Sequence, residues 1–321
     1  AAMAAAYKLT GGRSSVSGMT ATVFGASGFL GSYVVNQFGK VGSRCILPYR
    51  GDEIQMRKLK PMGDLGQVHP YQMSIRNIDE IQRAISESNV VINLLGRHLE
   101  TSRFSFQDVN VSFPAVLAEL CAEQGVERLV HVSAMGASTD SPSAWLRSKA
   151  AGEAAVLEGY PDATIVRPAT MFGDEDRFLN RIAKLTQSLP FMPLVDAGAT
   201  TQQPVYVNDV ASAIFWAATT PETAGTVLDL AGPKVYTNKQ IHDFVLKKID
   251  EPNNAFDLPP SIGNAMAFAM QQLPDAWMTV DGLKLQGCNI VSPDGKTGFE
   301  EMGLVPTAME DLVDRYLVRF R

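Results

Sequence analysis

The chain has 321 residues, 45% hydrophobic and 19% charged, with a net charge of −6 and a pI near 5.3. These are ordinary values for a globular protein, with room for one large domain plus an appendage or two modest domains. The acidic balance argues against nucleic acid as the partner, because a phosphate backbone demands a dense basic field. Cys45, Cys121 and Cys288 lie far apart with no CxxC pair, and the four histidines are not clustered. That pattern fits a reducing compartment and no metal site. No apolar run reaches the roughly 18 residues needed to cross a bilayer.

Residues 1–19, mostly small, with Gly11-Gly12 and a Ser/Gly run, read as a flexible, extended lead-in segment. Thr20–Phe24 reads as a strand, and Phe29–Phe38 as a helix with Leu30, Val34, Val35 and Phe38 on one face. Strands follow at Arg44–Tyr49, Val68–Met73 and Val90–Leu95, with a helix over Ile78–Ser86. Phe113–Gln124 is the next helix, closed by Gly125, and Leu129–Ser133 a fifth strand. A helix over Ala150–Leu157, a strand over Ala163–Arg167, a short strand at Val205–Val207 with its helix, and a late strand at Val227–Leu230 continue the rhythm.

Such alternation predicts an α/β fold: a doubly wound, Rossmann-type parallel sheet with helices on both faces. From Tyr236 onward helices dominate, so a smaller, mostly helical C-terminal cap is expected. The expected division is 1–19 as lead-in, 20–185 with 204–232 as the nucleotide-binding domain, and 186–203 with 233–321 as the cap. Within the cap Ile262, Ala265, Met266, Ala269 and Met270 share a helical face. Such a stripe reads first as core; if exposed, it would suit a membrane surface or a partner protein.

Gly25-Ala26-Ser27-Gly28-Phe29-Leu30-Gly31 sits between the first strand and the first helix. The first glycine permits a tight turn, the second lets backbone approach a pyrophosphate, and the third lets helix pack on strand. The helix N-terminus then offers unpaired N–H groups to the anion. The GxxGxxG spacing resembles the extended and atypical short-chain dehydrogenases/reductases. In such folds the residue at the end of the second strand selects NAD or NADP. Here that point reads Pro48-Tyr49-Arg50-Gly51, and the Arg50 guanidinium suits a 2′-phosphate. Asp52 and Glu53, just beyond, keep an NAD reading open.

Reductases of this family carry a Ser…Tyr-x-x-x-Lys set. Ser133 stands in the serine's place and Lys149 in the lysine's, but four residues before Lys149 stands Trp145. Positions 145 and 149 share a helical face, yet an indole only donates a hydrogen bond and cannot cycle a proton as a phenol does. Ser133 and Ser148 lack an evident base, and His131 reads as a core histidine. The expectation is a degenerate site (Ser133, Trp145, Lys149) and a protein that is not an enzyme.

Several stretches together resemble one family more narrowly. They are Gly25-Ala-Ser-Gly-Phe-Leu-Gly31, Asn93-Leu-Leu-Gly-Arg97, Phe106-Gln-Asp-Val-Asn110, Leu146-Arg-Ser-Lys-Ala-Ala-Gly-Glu153, Arg167-Pro-Ala-Thr-Met-Phe-Gly173 and Gln203-Pro-Val-Tyr-Val-Asn-Asp-Val210. The most discriminating is Phe172-Gly-Asp-Glu-Asp-Arg-Phe-Leu-Asn180. They are similar to the 39-kDa-type accessory subunits of mitochondrial respiratory complex I, atypical short-chain dehydrogenases. The resemblance implies the matrix side of the mitochondrial inner membrane and tightly held NADPH remote from electron transfer. It also implies a structural or assembly role beside other subunits near the quinone site. As cofactor neighbours it implies Gly25, Ser27, Gly28, Phe29, Leu30, Arg50, Gly96, Ser133, Lys149 and Pro168. The competing readings are an active NADPH-dependent reductase or sugar-nucleotide epimerase, and a regulatory or RNA-binding redox sensor.

Overall fold

The computed structural model describes residues 7, 9–101, 103–188, 192–195, 198–252, 255–271 and 279–321. Positions 1–6 and 8 of the expected lead-in, 102 of the expected nucleotide-binding domain, and 189–191, 196–197, 253–254 and 272–278 of the expected cap lie outside the described residues.

The sheet strands are β1 (Thr20–Phe24), β2 (Arg44–Tyr49), β3 (Val68–Gln72), β4 (Val90–Asn93), β5 (Arg128–Val132), β6 (Thr164–Pro168) and β7 (Val227–Leu230). Between them run helices α1 (Phe29–Lys40), α2 (Ile78–Ile85), α3 (Phe113–Glu123), α4 (Ala144–Gly159) and α5 (Val207–Thr219). The strands form one sheet in the order β7-β6-β5-β4-β1-β2-β3, and β1 to β6 run parallel. This is the doubly wound arrangement expected from the alternation. Its order reverses between β1 and β4, so ligands on such sheets lie beyond the carboxyl ends of those strands.

By internal contacts the chain divides into two compact units. The first comprises 1–133, 148–167 and 208–228. Continuous apolar strands explain its core, in which Phe24, Val91, Leu129 and Ile165 pack with Ile81, Ile85, Phe113 and Leu117. Phe24 meets Phe113 edge-on at 5.5 Å, and Phe38 of α1 meets Phe215 of α5 at 5.0 Å. Among the described residues of the lead-in, Arg13 donates to the Pro61 carbonyl (2.7 Å) and to Asn36 Oδ1 (3.0 Å).

The second unit comprises 134–147, 168–207 and 229–321. It takes in 134–147, 168–185, 204–207 and 229–232, which the expected division assigns to the nucleotide-binding domain. The reason lies in local contacts. Asp281 bonds the start of α4: its carboxylate accepts from Ser143 Oγ (2.9 Å) and from the N–H groups of Ala144 (2.6 Å) and Trp145 (3.2 Å). This capping starts α4 at Ala144, six residues earlier than apolar spacing suggests. Phe172 and Leu179 pack with Ile241, Val245, Met309, Val313 and Leu317.

This unit is not free of strands. Val205–Tyr206 pairs with Met171–Phe172, Tyr236–Thr237 with Thr201–Gln202, and Ala255–Leu258 with Met192–Val195. Most are two residues long, too short to leave a periodic signature. The methionine stripe also departs from the core expectation. In the helix Pro260–Met270, Ile262 (53%), Met266 (38%) and Phe268 (61%) are exposed, while Ala267 packs with Leu283. Gly263 and Ala267 are the buried positions of this helix among the described residues.

Candidate functional site

The loop between β1 and α1 turns at Gly25, whose φ of +83° strains any residue with a Cβ. A Cβ there would also lie 3.1 Å from the Leu94 carbonyl carbon, just past β4. The Gly28 N–H closes the turn onto the Gly25 carbonyl (3.0 Å), and Gly28 caps α1 with no side chain over the helix end. Ser27 and Gly28 are exposed, Phe29 half-buried and Leu30 buried. A Cβ on Gly31 would meet Gly25 O at 2.4 Å and Ala26 Cα at 2.6 Å, so only glycine lets α1 start this close to β1. The result is a bare, open helix N-terminus of the kind that receives phosphate groups.

A second group of residues gathers at the ends of β4 and β5. Lys149 is buried, and its Nζ donates to the Val132 carbonyl (3.2 Å). A Cβ on Gly96 would stand 3.1 Å from Lys149 Nζ and 3.8 Å from Asn110 Oδ1. Asn110 sits in a π-helical turn, Asp108–Ser112, and its Nδ2 donates to Ser148 Oγ (2.9 Å). Such turns frequently mark functional positions. Burial pushes the Lys149 ammonium down to about 8, and the Glu153 carboxylate opposes the shift. Glu153 in turn holds Arg167 in a fork, Nε to Oε1 at 2.9 Å and Nη2 to Oε2 at 2.5 Å.

His131 is core, as expected of it. Its Nδ1 pairs with Asn93 Nδ2 (3.1 Å), which places the ring proton on Nε2, and Asn93 Oδ1 accepts from Leu95 N–H (3.1 Å). Burial, with the Lys149 charge adding, pushes the imidazole down to about 3. It is a neutral ring near pH 7.

The structure therefore brings Gly96, Ser133 and Lys149 to one end of the sheet, beside the Gly25–Leu30 loop. Arg50 follows β2 and is exposed. Asp52 and Glu53, the basis of the NAD alternative, are both engaged: Asp52 Oδ1 accepts from Ile54 N–H (3.0 Å) and Glu53 pairs with Lys60 (2.8 Å). Pro168 closes β6, its carbonyl accepting from Met135 N–H (3.0 Å). Trp145 lies half-buried on α4, one turn before Lys149. Asn110, Asn93 and Asp281 were not singled out by sequence reasoning. Asn93 and Asn110 carried a local signal, in the Asn93–Arg97 and Phe106–Asn110 stretches, and Asp281 carried none.

Two observations fit a dinucleotide. Ser133 Oγ and Asn110 Oδ1 are buried and lack a hydrogen-bond partner, a costly state that a ribose hydroxyl or carboxamide relieves. The uncapped start of α1 is the other.

The fold and this site define a class. The chain belongs to the NAD dependent epimerase/dehydratase family, whose model matches residues 21–231. Within it, the chain belongs with the mitochondrial subunits called NADH dehydrogenase [ubiquinone] 1 alpha subcomplex subunit 9. It is 42% identical to the one from Arabidopsis thaliana over 98% of this chain and 81% of that protein. It is also 42% identical to that of Mus musculus, over 94% and 80% respectively. Among solved structures it is similar in fold to the NADPH-dependent quinone oxidoreductase QOR2 of Escherichia coli complexed with NADPH, with a TM-score of 0.72 at 16% identity over 93% of this chain and 99% of that one. Among the described residues no helix is long and apolar enough to cross a membrane.

Proposed function

We propose that the chain is a non-catalytic, NADPH-holding accessory subunit of the mitochondrial NADH:ubiquinone oxidoreductase, on the matrix side of the inner membrane near the quinone site. Membership with the subunit 9 proteins supports the complex and the compartment. The observation that carries the non-catalytic reading is Trp145, on the helical turn before Lys149. When bound, the nucleotide supplies hydride chemistry; the chain must supply a proton. A phenol beside a lysine does that, and an indole does not. Ser133 Oγ touches no base, and the His131 ring is held neutral by burial.

The backbone N–H groups of Phe29 and Leu30, with side-chain-free Gly28 leaving the approach open, would meet the pyrophosphate; Arg50 would meet the 2′-phosphate, and Ser133, Lys149 and Gly96 the nicotinamide ribose, with Gly25, Ser27 and Pro168 completing the surroundings. The exposed Ile262, Met266 and Phe268 give the C-terminal region an apolar surface for a neighbouring subunit or the membrane face. Mass spectrometry of protein gently purified from its native membrane tests the assignment. NADPH and other subunits of the complex are expected to come with it. Turnover of NADPH against a panel of carbonyl substrates, with Trp145→Tyr alongside, tests the chemistry. Robust turnover by the unaltered chain overturns the reading.

A further inference from the structure

Arg50 follows β2 and Arg76 lies just past β3, on neighbouring strands whose pairing runs to Tyr49 and Gln72. Both guanidinium groups lie against one aromatic ring: the Arg50 Cζ is 4.9 Å and the Arg76 Cζ 4.7 Å from the centroid of Phe104. The ring is well fixed. Phe104 is 8% exposed, and it exchanges backbone hydrogen bonds with Thr101 (3.0 and 3.2 Å). Arg76 is fixed too, since its Nη2 donates to the Arg103 carbonyl (2.5 Å).

Two cations on one ring repel each other, and the attraction of the ring face for each is modest. An ion pair would normally offset this. Among the described residues, though, neither arginine is within ion-pair distance of a carboxylate. The acids close by are held by backbone amides: Asp108 by Ser105 N–H (2.9 Å), Glu100 by Phe106 N–H (2.9 Å) and Glu80 by Ser74 N–H (2.7 Å). Asp108 feels the Arg76 charge only as a minor influence. In an acidic protein, two guanidinium groups gathered on one fixed ring without a carboxylate counter-charge point to an anion from outside.

We propose that Arg76 is a second guanidinium of the 2′-phosphate subsite, and that Phe104 is the platform that presents Arg50 and Arg76 together. The proposal rests on the nucleotide reading above and deepens it. The place fits, because the adenosine ribose of this fold lies past the end of β2. The charge fits as well. A phosphomonoester carries about −1.5 to −2 at pH 7, more than one guanidinium neutralises, and its three oxygens can take two donor forks.

The test is calorimetric titration of the full chain, freed of nucleotide, with NADP⁺, NAD⁺, 2′,5′-ADP and inorganic phosphate. The unaltered chain is expected to prefer NADP⁺. Arg76→Gln should weaken NADP⁺ about tenfold and leave NAD⁺ within about twofold, the retained NAD⁺ affinity serving as proof of folding. Arg76→Lys should restore only part of the loss, because a point charge cannot fork. Phe104→Leu should mimic Arg76→Gln; if it fails to fold, the exposed Arg76 variants carry the test alone. An unchanged preference in Arg76→Gln, alongside a lost preference in Arg50→Gln, overturns the role of Arg76 and leaves the nucleotide reading standing. An unaltered chain with no preference for NADP⁺ removes both. Inorganic phosphate binding as tightly as 2′,5′-ADP would mark a general anion site and also sink the proposal.

Discussion

Gly152 of α4 lies against the backbone carbonyl of Asn110 so closely that a Cβ would stand 1.9 Å from the oxygen. That contact sets how near α4 comes to the π-helical turn Asp108–Ser112, and so where Lys149 sits over Gly96. The obstacle is backbone, which no rotamer change relieves. Gly152→Ala should therefore cost about 2–3 kcal/mol, the upper range of overpacking effects, measured by urea unfolding. A loss below about 0.5 kcal/mol, in the range of ordinary surface substitutions, would mean that the two helices slide freely.

The glycine turn from Gly25 to Gly31 was legible because its signal is contiguous: three glycines, a preceding strand and a following amphipathic helix all fall within Thr20–Phe38. For the same reason the bounds of β1 and β2 agree with the apolar runs to the residue. Asp281 was not legible. It caps a helix whose start lies 137 residues earlier, and no local pattern couples the two. Phe104 gathers Arg50 and Arg76 from separate loops, which only the folded sheet brings together. The stripe at Ile262 and Met266 shows a different limit. Periodicity identifies a face of a helix, but not which face is turned inward, and here Gly263 and Ala267 take that place.

His131 links the core to pH. Its folded pKa is pushed down to about 3 by burial, whereas the unfolded imidazole titrates near its usual value of about 6.5. Below pH 6.5 the unfolded chain takes up a proton that the folded chain refuses, so stability falls as pH drops from about 6.5 toward 3, by at most about 1.4 kcal/mol per pH unit. His131→Asn should flatten this part of the stability–pH curve, measured by denaturant unfolding between pH 7 and 4 against the unaltered chain. Parallel curves would show that the ring is accessible to protons in the folded state.

Asp176 explains the block that makes the 172–180 stretch distinctive. Its buried carboxylate accepts from the N–H groups of Gly173 (3.1 Å), Phe178 (3.0 Å) and Asn180 (2.9 Å), and from the Tyr316 hydroxyl (3.2 Å). Arg319 then bonds Asn180 Oδ1 (2.8 Å). Burial raises the Asp176 pKa, while these four donors act to keep it ionised. Asp176→Ala strands all four donors and should cost about 3 kcal/mol. Limited proteolysis should then cut sooner within 309–321. An unchanged cleavage pattern would mean that the motif does not anchor the C-terminal helices.

The bound nucleotide, finally, should act as a structural element, and Ser133 gives that claim a sign. A ligand held only by the folded chain adds about 4 kcal/mol at a thousandfold excess over its Kd, so NADPH should raise Tm by several degrees. The Ser133 hydroxyl is buried without a partner, so in the nucleotide-free chain it costs stability and contributes none. Ser133→Ala should leave the nucleotide-free Tm unchanged or slightly raised, while the increment from NADPH shrinks. Scanning calorimetry with and without NADPH reads both quantities. If the variant melts earlier without nucleotide, yet gains as much from NADPH as the unaltered chain, the hydroxyl serves the fold and faces no ribose.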